Sequence, residues 1–443
     1  MESPAESQVE PSKPTSFRST VLQVVALCLI LLLFFTSIEL MGESFKLMGQ
    51  GVAEQLLLMT SNPFVGLFIG ILATSIVQSS STVTSMTVSI VAGGGLNIAG
   101  AIPIVMGANI GTSVTNTIVS FGSVTRKEEF RRAMGAATVH DFFNFFVVAL
   151  LFPLELIFQF VSIPAAHLTD ALAGIGGTEL LSPVKELVEP IAGLIIQLSG
   201  ESGIIVLVAG LALLFISLRY LVQLLRSLVL GRSENLLHRY IFGRPIVSLG
   251  FGILLTFLVQ SSSITTSITV PLVGAGILTV TQIFPFVVGA NIGTTMTAIV
   301  AALVLASGGT AAGIAALKVA FAHLIFNLYG TALFVPIPAL RALPIKLAHM
   351  VGDLAVKNRV YALGYVVSIF FVLPLVTILA TRNMEFSYNP PRPDVLEERM
   401  PSGEQPSGET GSTDRVRVPH ASLLGSTAVN MQPTQDGSWR IRV

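Results

Sequence analysis

The sequence predicts an all-α polytopic membrane protein with two inverted repeats, each carrying a re-entrant hairpin or broken helix at the bilayer midplane. Of the 443 residues, 52% are hydrophobic and 11% are charged, against roughly 25% charged residues in soluble proteins. Several apolar runs reach the roughly 20 residues that cross a bilayer as a helix. These runs lack the period-2 alternation of barrel strands. Finally, one polar motif occurs twice inside such runs, which is typical of internally repeated transporters.

The chain divides into five segments by composition. Residues 1–19 are polar and rich in Pro and Ser, and they predict a disordered N-terminal tail rather than a cleaved signal. The remaining segments are the first transmembrane half at 20–156, an external loop at 157–202, the second transmembrane half at 203–381, and a disordered C-terminal tail at 382–443. Spanning helices are predicted near residues 20–40, 132–154, 203–230, 312–335 and 360–380.

The repeated motif is Gln-Ser-Ser-Ser. Its two copies comprise Gln78, Ser79, Ser80 and Ser81, and Gln260, Ser261, Ser262 and Ser263. Each copy lies in the middle of an apolar stretch of about 30 residues, which would be about 45 Å long as one helix. Because that length exceeds the hydrocarbon core, we expect each stretch to break at its Gln-Ser-Ser-Ser tetrad.

A second motif, Gly-Ala-Asn-Ile-Gly-Thr, follows each tetrad at residues 107–112 and 289–294. It falls in the middle of the next apolar stretch, so we expect a second break in both halves. Its glycines are equally compatible with two helices packing closely. Further on, His140 and Asn144, like His323 and Asn327, lie four residues apart on one helix face and are expected to bond a neighbouring helix. Asp141 is a carboxylate near the cytoplasmic end of its predicted helix.

Loop charge predicts the orientation of the two halves. Basic residues concentrate in the loop after the first repeat, which therefore lies inside: Arg126, Lys127, Arg131 and Arg132. The corresponding loop of the second half, residues 307–313, carries no charge. Corresponding loops on opposite sides indicate an inverted repeat, related by a pseudo-two-fold axis in the membrane plane.

The polar centre carries no fixed charge. Residues 62–121 and 245–306 contain no Asp, Glu, Lys or Arg. Ser is a strong N-cap, so each tetrad is expected to begin a new helix whose free N–H groups and hydroxyls face an oxyanion. An anion alone in a neutral, poorly solvated site is costly, whereas a co-bound cation offsets its charge. The missing countercharge therefore favours cation-coupled uptake.

These residues resemble the type II sodium-dependent phosphate cotransporters over most of residues 20–380. The resemblance is carried by both tetrads, both Gly-Ala-Asn-Ile-Gly-Thr segments, Thr115-Asn116-Thr117, Arg131-Arg132-Ala133 and the block from Ala137 to Asn144. It implies inorganic phosphate as substrate, sodium as driving ion and plasma-membrane residence. The external loop is short and lacks the cysteines and glycosylation sites of animal members, so the chain looks like a bacterial relative.

The resemblance also implies site residues. All eight residues of the two tetrads are expected to bind phosphate. Nearby hydroxyls and amides are expected to ligate sodium, and the candidates are Ser85, Asn109, Thr112, Thr115, Asn116, Thr266, Ser267, Asn291 and Thr294.

The predicted function is sodium-coupled symport of inorganic phosphate into the cell by alternating access, from a multi-pass position in the cell membrane. Two alternatives remain: a passive anion channel or a transporter of another oxyanion, and, in a different class, a membrane scaffold or sensor. An enzyme is disfavoured, since paired carboxylates, a metal cluster and a nucleophile–base set are lacking in the sequence. No catalytic residue, no cofactor and no metal beyond sodium, the co-substrate, is assigned. The expected partners are phosphate, sodium and the lipid bilayer, with a homodimer as one assembly to test and no nucleic acid, because the net charge is zero.

Overall fold

The computed structural model describes residues 17–48, 60–174, 176–177, 182–229, 241–381, 430–433 and 439–442. Most of the two predicted tails lies outside the described residues. The chain forms two compact units, one reaching Pro390 and one from Pro391 to Val443. In the second unit, β1 (Asn430–Pro433) pairs antiparallel with β2 (Trp439–Arg442).

The first transmembrane half consists of helices. They are α1 (Phe17–Met48), α2 (Pro63–Val77), α3 (Ser80–Ala92), α4 (Ile98–Gly111), α5 (Val114–Ser120) and α6 (Lys127–Phe158), with a 3₁₀ turn at Phe121–Ser123. The predicted external loop contains two further helices, α7 (Ser162–Gly174) and α8 (Ser182–Leu198).

The second half is also helical. Its helices are α9 (Gly203–Val229), α10 (Pro245–Val259), α11 (Ser262–Ser267), α12 (Thr269–Gly274), α13 (Val280–Ala306), α14 (Ala311–Phe334), α15 (Pro338–Lys357), α16 (Arg359–Val367) and α17 (Leu373–Thr381), with a π-helical segment at Ser368–Val372.

Within the described residues, seven helical segments are long and apolar enough to cross a membrane. They are Val21–Met48, Ile98–Ser123, Lys127–Phe158, Gly203–Tyr220, Val280–Ala306, Ala311–Phe334 and Arg359–Thr381. The helices before the tetrads, α2 and α10, are apolar but only 15 residues long. An all-α polytopic membrane protein is therefore confirmed. The inverted relation between the two repeats stays a prediction.

Each half contains one close contact between two helices that is lined by glycine. A Cβ on Gly107 of α4 would lie 2.0 Å from the Leu67 carbonyl oxygen of α2. In the second half, a Cβ on Gly289 of α13 would lie 2.2 Å from the Leu249 carbonyl oxygen of α10. Since no side chain fits in that space, the glycines allow the backbones to touch, as in other close-packed membrane helices. Close packing is thus one role of the Gly-Ala-Asn-Ile-Gly-Thr glycines in both halves.

The predicted second break is found in only one half. In the first half, α4 ends at Gly111 and α5 begins at Val114, so the motif is followed by a break. In the second half, α13 runs unbroken through residues 289–294, and the prediction of a break there is wrong. The physical reason is that glycine contact with a neighbouring helix needs no distortion of the glycine's own helix.

Candidate functional site

The first tetrad ends one helix and begins another, as predicted. Gln78 adopts the left-handed conformation, with φ 57° and ψ 28°, and its N–H bonds the Thr74 carbonyl at 2.7 Å. Ser79 is extended, and its Oγ accepts hydrogen bonds from Thr82 N at 3.2 Å and from Thr82 Oγ1 at 2.8 Å. A left-handed residue stops a helix, and a serine N-cap starts the next one. The sequence pattern therefore produces this break locally.

The second tetrad has the same backbone geometry. Gln260 has φ 56° and ψ 23° and bonds the Thr256 carbonyl at 2.7 Å, and Ser261 is the N-cap of α11. Its Oγ accepts from Ile264 N at 3.4 Å. Each half thus presents a helix N-terminus, with its partly free N–H groups, next to three serines. Such ends favour anions.

Burial differs along each tetrad. The third and fourth positions are buried in both copies, namely Ser80, Ser81, Ser262 and Ser263. Ser79 and Ser261 are half-buried, and Gln78 is exposed. The hydroxyls therefore line the protein interior, while the Gln78 end of the first tetrad is open in this structure.

The two glutamines differ in their hydrogen bonds. Gln260 Oε1 accepts from Thr297 Oγ1 at 2.5 Å, and its Nε2 donates to the Phe257 carbonyl at 2.5 Å. Thr115 occupies the position of Thr297 in the first repeat. Its Oγ1 is buried and has no hydrogen-bond partner among the described residues. In the second repeat, the Thr297 hydroxyl thus bonds Gln260. In the first repeat, the Thr115 hydroxyl is available for a ligand.

Among the candidate sodium residues, the structure brings Asn116 and Thr266 together. Thr266 Oγ1, on α11, lies 3.0 Å from Asn116 Oδ1, on α5, so the contact joins the two repeats. Ser85 Oγ is buried without a partner in the described part of the chain. Hydroxyl and amide oxygens are ligands that suit sodium in transporters.

The remaining candidates bond within their own helices. Thr112 Oγ1 donates to the Ala108 carbonyl and Thr294 Oγ1 to the Ala290 carbonyl, both at 3.0 Å, while Ser267 Oγ donates to the Ile264 carbonyl at 2.9 Å. Each of these hydroxyls still has oxygen lone pairs that could accept a cation.

Asn109 and Asn291 lie in a buried network that crosses between the repeats. His140 Nε2 is 2.6 Å from Asn291 Oδ1, and His323 Nε2 is 3.3 Å from Asn109 Oδ1. Asn144 accepts from Asn291 Nδ2 at 2.7 Å. Each histidine therefore contacts the motif asparagine of the opposite repeat. The prediction that the His and Asn pairs bond neighbouring helices is confirmed for His140, Asn144 and His323. It is wrong for Asn327, whose Nδ2 donates to the His323 carbonyl of its own helix.

Asp141 lies in the middle of α6 and is fully buried, which corrects the expectation of a position near the helix end. Its Oδ2 accepts from Tyr365 Oη at 2.7 Å, and its Oδ1 has no partner among the described residues. No sequence pattern pointed to Tyr365, because α16 lies outside both repeated blocks. Groups of three or more His, Cys, Asp or Glu that could hold a metal ion are lacking in the described part of the chain.

Several known proteins are similar to this chain in sequence. The chain is 32% identical to the sodium-dependent phosphate transport protein 2B of Pongo abelii, over 80% of this chain and 64% of that protein. It is 34% identical to the sodium-dependent phosphate transport protein 2A of Ovis aries, over 80% of this chain and 67% of that protein. The match thus spans about two thirds of the length of these relatives. No solved structure gives a significant match.

The sequence model of one family covers both halves of the chain. It matches residues 33–179 and 203–344, which together make up more than half of the sequence and include both tetrads and both Gly-Ala-Asn-Ile-Gly-Thr segments. This multi-pass membrane protein therefore belongs to the Na⁺/Pi-cotransporter family.

Proposed function

We propose that this protein carries out sodium-coupled symport of inorganic phosphate across the cell membrane by alternating access. The observation that carries the proposal is the pair of equivalent serine-capped helix N-termini at the two tetrads. Relatives named sodium-dependent phosphate transport proteins support the choice of substrate and driving ion.

Phosphate binds, in this proposal, at the two tetrads. Backbone N–H groups at the start of α3 and α11 and the serine hydroxyls donate hydrogen bonds to the phosphate oxygens. Ser79 Oγ and Ser261 Oγ each accept one N–H of the first helical turn, which leaves the other N–H groups of that turn for the anion. In this proposal, the donors of the two helix starts converge on one tetrahedral oxyanion.

Sodium supplies the positive charge. The segments that carry the tetrads contain no Lys or Arg, so the phosphate charge has no fixed partner there. A sodium ion about 4 Å away offsets about 4 kcal/mol at an effective dielectric constant near 20. We propose that sodium binds at the contact between Asn116 and Thr266. Ser85 and Thr115 are further candidate ligands, because their hydroxyls have no partner among the described residues.

The test is uptake of radiolabelled phosphate into proteoliposomes with an inward sodium gradient, and with potassium in its place as control. We expect concentrative uptake in sodium only, reduced by arsenate and little affected by sulfate. Equal uptake in sodium and potassium, without accumulation above the outside concentration, would instead support a passive channel. Strong competition by sulfate would point to a different oxyanion.

A binding measurement tests the countercharge argument separately. Calorimetry of phosphate binding to purified protein should show binding in sodium buffer and negligible binding in potassium buffer. Tight binding in potassium would contradict the role given to sodium, whatever the uptake result.

A further inference from the structure

The break between α4 and α5 frees the backbone carbonyl of Asn109 from the helical ladder. In a continuous helix this carbonyl would accept the N–H of Ser113, four residues on. Instead, the Ser113 N–H reaches back only three residues, to the Ile110 carbonyl at 3.4 Å. Asn144 Nδ2, on α6, donates to the Asn109 carbonyl at 2.7 Å. Since Asn144 is fully buried and an unpaired buried carbonyl is costly, Asn144 stabilises the break.

The equivalent asparagine of the second repeat is not used in this way. Asn327 lies 183 residues after Asn144, and its Nδ2 donates to the His323 carbonyl of its own helix at 2.9 Å. The helix opposite it, α13, is continuous past Asn291, so the Asn291 carbonyl stays within the helical ladder. Asn327 is thus a buried side chain with the same placement as Asn144 but with no break to stabilise.

The side chains of Asn109 and Asn291, the asparagines of the two Gly-Ala-Asn-Ile-Gly-Thr segments, also form different hydrogen bonds in the two halves. Asn291 bonds the opposite repeat through both ends of its amide, to His140 and Asn144. Asn109 bonds the opposite repeat only through a 3.3 Å contact with His323, because its Nδ2 donates to the Val105 carbonyl of its own helix. Two halves with the same residues therefore occupy two different hydrogen-bonding arrangements.

We propose that these arrangements are the two states of a switch, and that the halves exchange them during the transport cycle. In the opposite state, α13 breaks after Gly293 and Asn327 donates to the Asn291 carbonyl. At the same time α4 and α5 join, and Asn144 turns to its own helix. Hydrogen bonds are exchanged one for one, so the two states can have similar free energies. Packed elements with two discrete arrangements are the usual basis of such transitions. Asn144 and Asn327 are positioning residues in this switch, and the inference rests on the alternating access proposed above.

Residue composition explains why the first repeat is the broken one here. The segment after its motif contains Thr115, Asn116 and Thr117, which are poor helix formers. The second repeat has Ala298 where the first has Asn116, and alanine favours the continuous helix. A break fixed permanently by this composition is the competing explanation.

Hydrogen–deuterium exchange of the full chain in nanodiscs separates the two explanations. Exchange is measured at residues 112–117 and 294–299 in the wild type, Asn144→Leu and Asn327→Leu. Each protein is measured in three buffers: sodium, sodium with phosphate, and potassium. We expect Asn144→Leu to slow exchange at 112–117 by about tenfold or more and to speed exchange at 294–299 by a similar factor. Asn327→Leu should keep 294–299 protected in every condition, whereas the wild type should expose it in at least one.

Thr138→Val is the matched control, because it removes a buried bond of α6 to the Met134 carbonyl without touching the break. It should keep the wild-type pattern. If Asn144→Leu does not fold, Asn144→Asp, which keeps the shape but loses the amide donor, takes its place. The switch is overturned if 294–299 stays protected in all variants and conditions, or if Asn144→Leu speeds exchange in both segments. Uptake by the wild type is measured in parallel, so failure of transport and failure of the switch are distinguished.

Discussion

The two repeats of this protein agree at the first motif and differ at the second. At the tetrads, Gln78 and Gln260 have φ values within one degree of each other, and Ser79 and Ser261 are both N-caps. After the Gly-Ala-Asn-Ile-Gly-Thr segments, one half has a break and the other a continuous helix. A break encoded by its own residues recurs wherever those residues recur. The second break follows a repeated motif, but the residues after that motif and the donor from the neighbouring helix differ between the halves.

The largest effect is expected at the glycine contacts, which the two halves share. Gly107→Ala and Gly289→Ala each place a Cβ about 2 Å from a carbonyl oxygen of the facing helix, so each should destabilise the protein by about 3 kcal/mol. The yield of folded protein after size-exclusion chromatography and its thermal unfolding measure this loss.

Gly250→Ala is the control for both variants. Gly250 lies in α10 with open space around it, and alanine should stabilise the helix there by about 0.5 kcal/mol. If only one of the two contact variants loses folded protein, the glycine contacts of the two halves are not equivalent.

The next effect separates substrate binding from capping. Ser79→Ala and Ser261→Ala should each nearly abolish sodium-dependent phosphate uptake while the protein is still expressed, because in the proposed site both tetrads bind the same phosphate. The loss of the cap itself costs only about 1 kcal/mol.

Thr310→Ala is the matched cap variant for this comparison. Thr310 caps α14 by accepting from Gly313 N at 3.1 Å, in the loop after α13. It should lose a similar amount of stability but retain most of the uptake. Normal uptake in both serine variants would refute the phosphate site.

A smaller effect tests the asymmetry at the glutamines. Thr297→Val removes the partner of Gln260 and should destabilise the protein by about 1 kcal/mol. Thr115→Val removes a buried hydroxyl without a described partner, so it should leave stability unchanged or raise it slightly in sodium-free buffer.

Thermal unfolding in sodium and in choline measures both variants. If Thr115 ligates sodium, Thr115→Val should lose the stabilisation that sodium gives to the wild type. Equal destabilisation by the two variants in choline would show that the two glutamine environments do not differ.

The inverted orientation of the repeats is tested with cysteine variants, which should disturb the protein least. Thr125, in the basic loop, and Ala311, in the uncharged loop, are both exposed, so cysteines there should change stability by less than about 0.5 kcal/mol. In a Cys28→Ser background, a membrane-impermeant maleimide should label Thr125→Cys and Ala311→Cys from opposite sides. Labelling from the same side would exclude an inverted repeat.

Much of the fold could be predicted from the sequence because its determinants are local. Apolar length predicted the long spanning helices, and the tetrads predicted the two breaks between α2 and α3 and between α10 and α11. The failed prediction, a break within α13, involved residues whose identity is the same in both halves. The motif alone does not decide the conformation, because the residues after it differ between the halves and so does the neighbouring donor: Asn144 bonds the Asn109 carbonyl, whereas Asn327 bonds its own helix.

The site was predictable to a similar degree. The polar residues and the lack of fixed charge can be seen in the sequence. The sequence does not show which of these residues contact each other. Asn116 and Thr266 are 150 residues apart in the chain, and Asp141 and Tyr365 are 224 residues apart. Such contacts depend on how helices of the two halves pack, and a hydrogen bond requires positions fixed to within a few tenths of an ångström.

By itself, then, the sequence determined a helical membrane protein with two serine-capped breaks and an uncharged polar centre. These features follow from hydrophobic length, capping and left-handed turns, which act over a few residues. The tertiary structure alone decided that His140 and His323 each contact the asparagine of the opposite repeat, and that Asn144 bonds a carbonyl of a facing helix whereas Asn327 bonds its own helix. The reason is that a buried carbonyl must find a donor, and that donor comes from whichever helix packs against it.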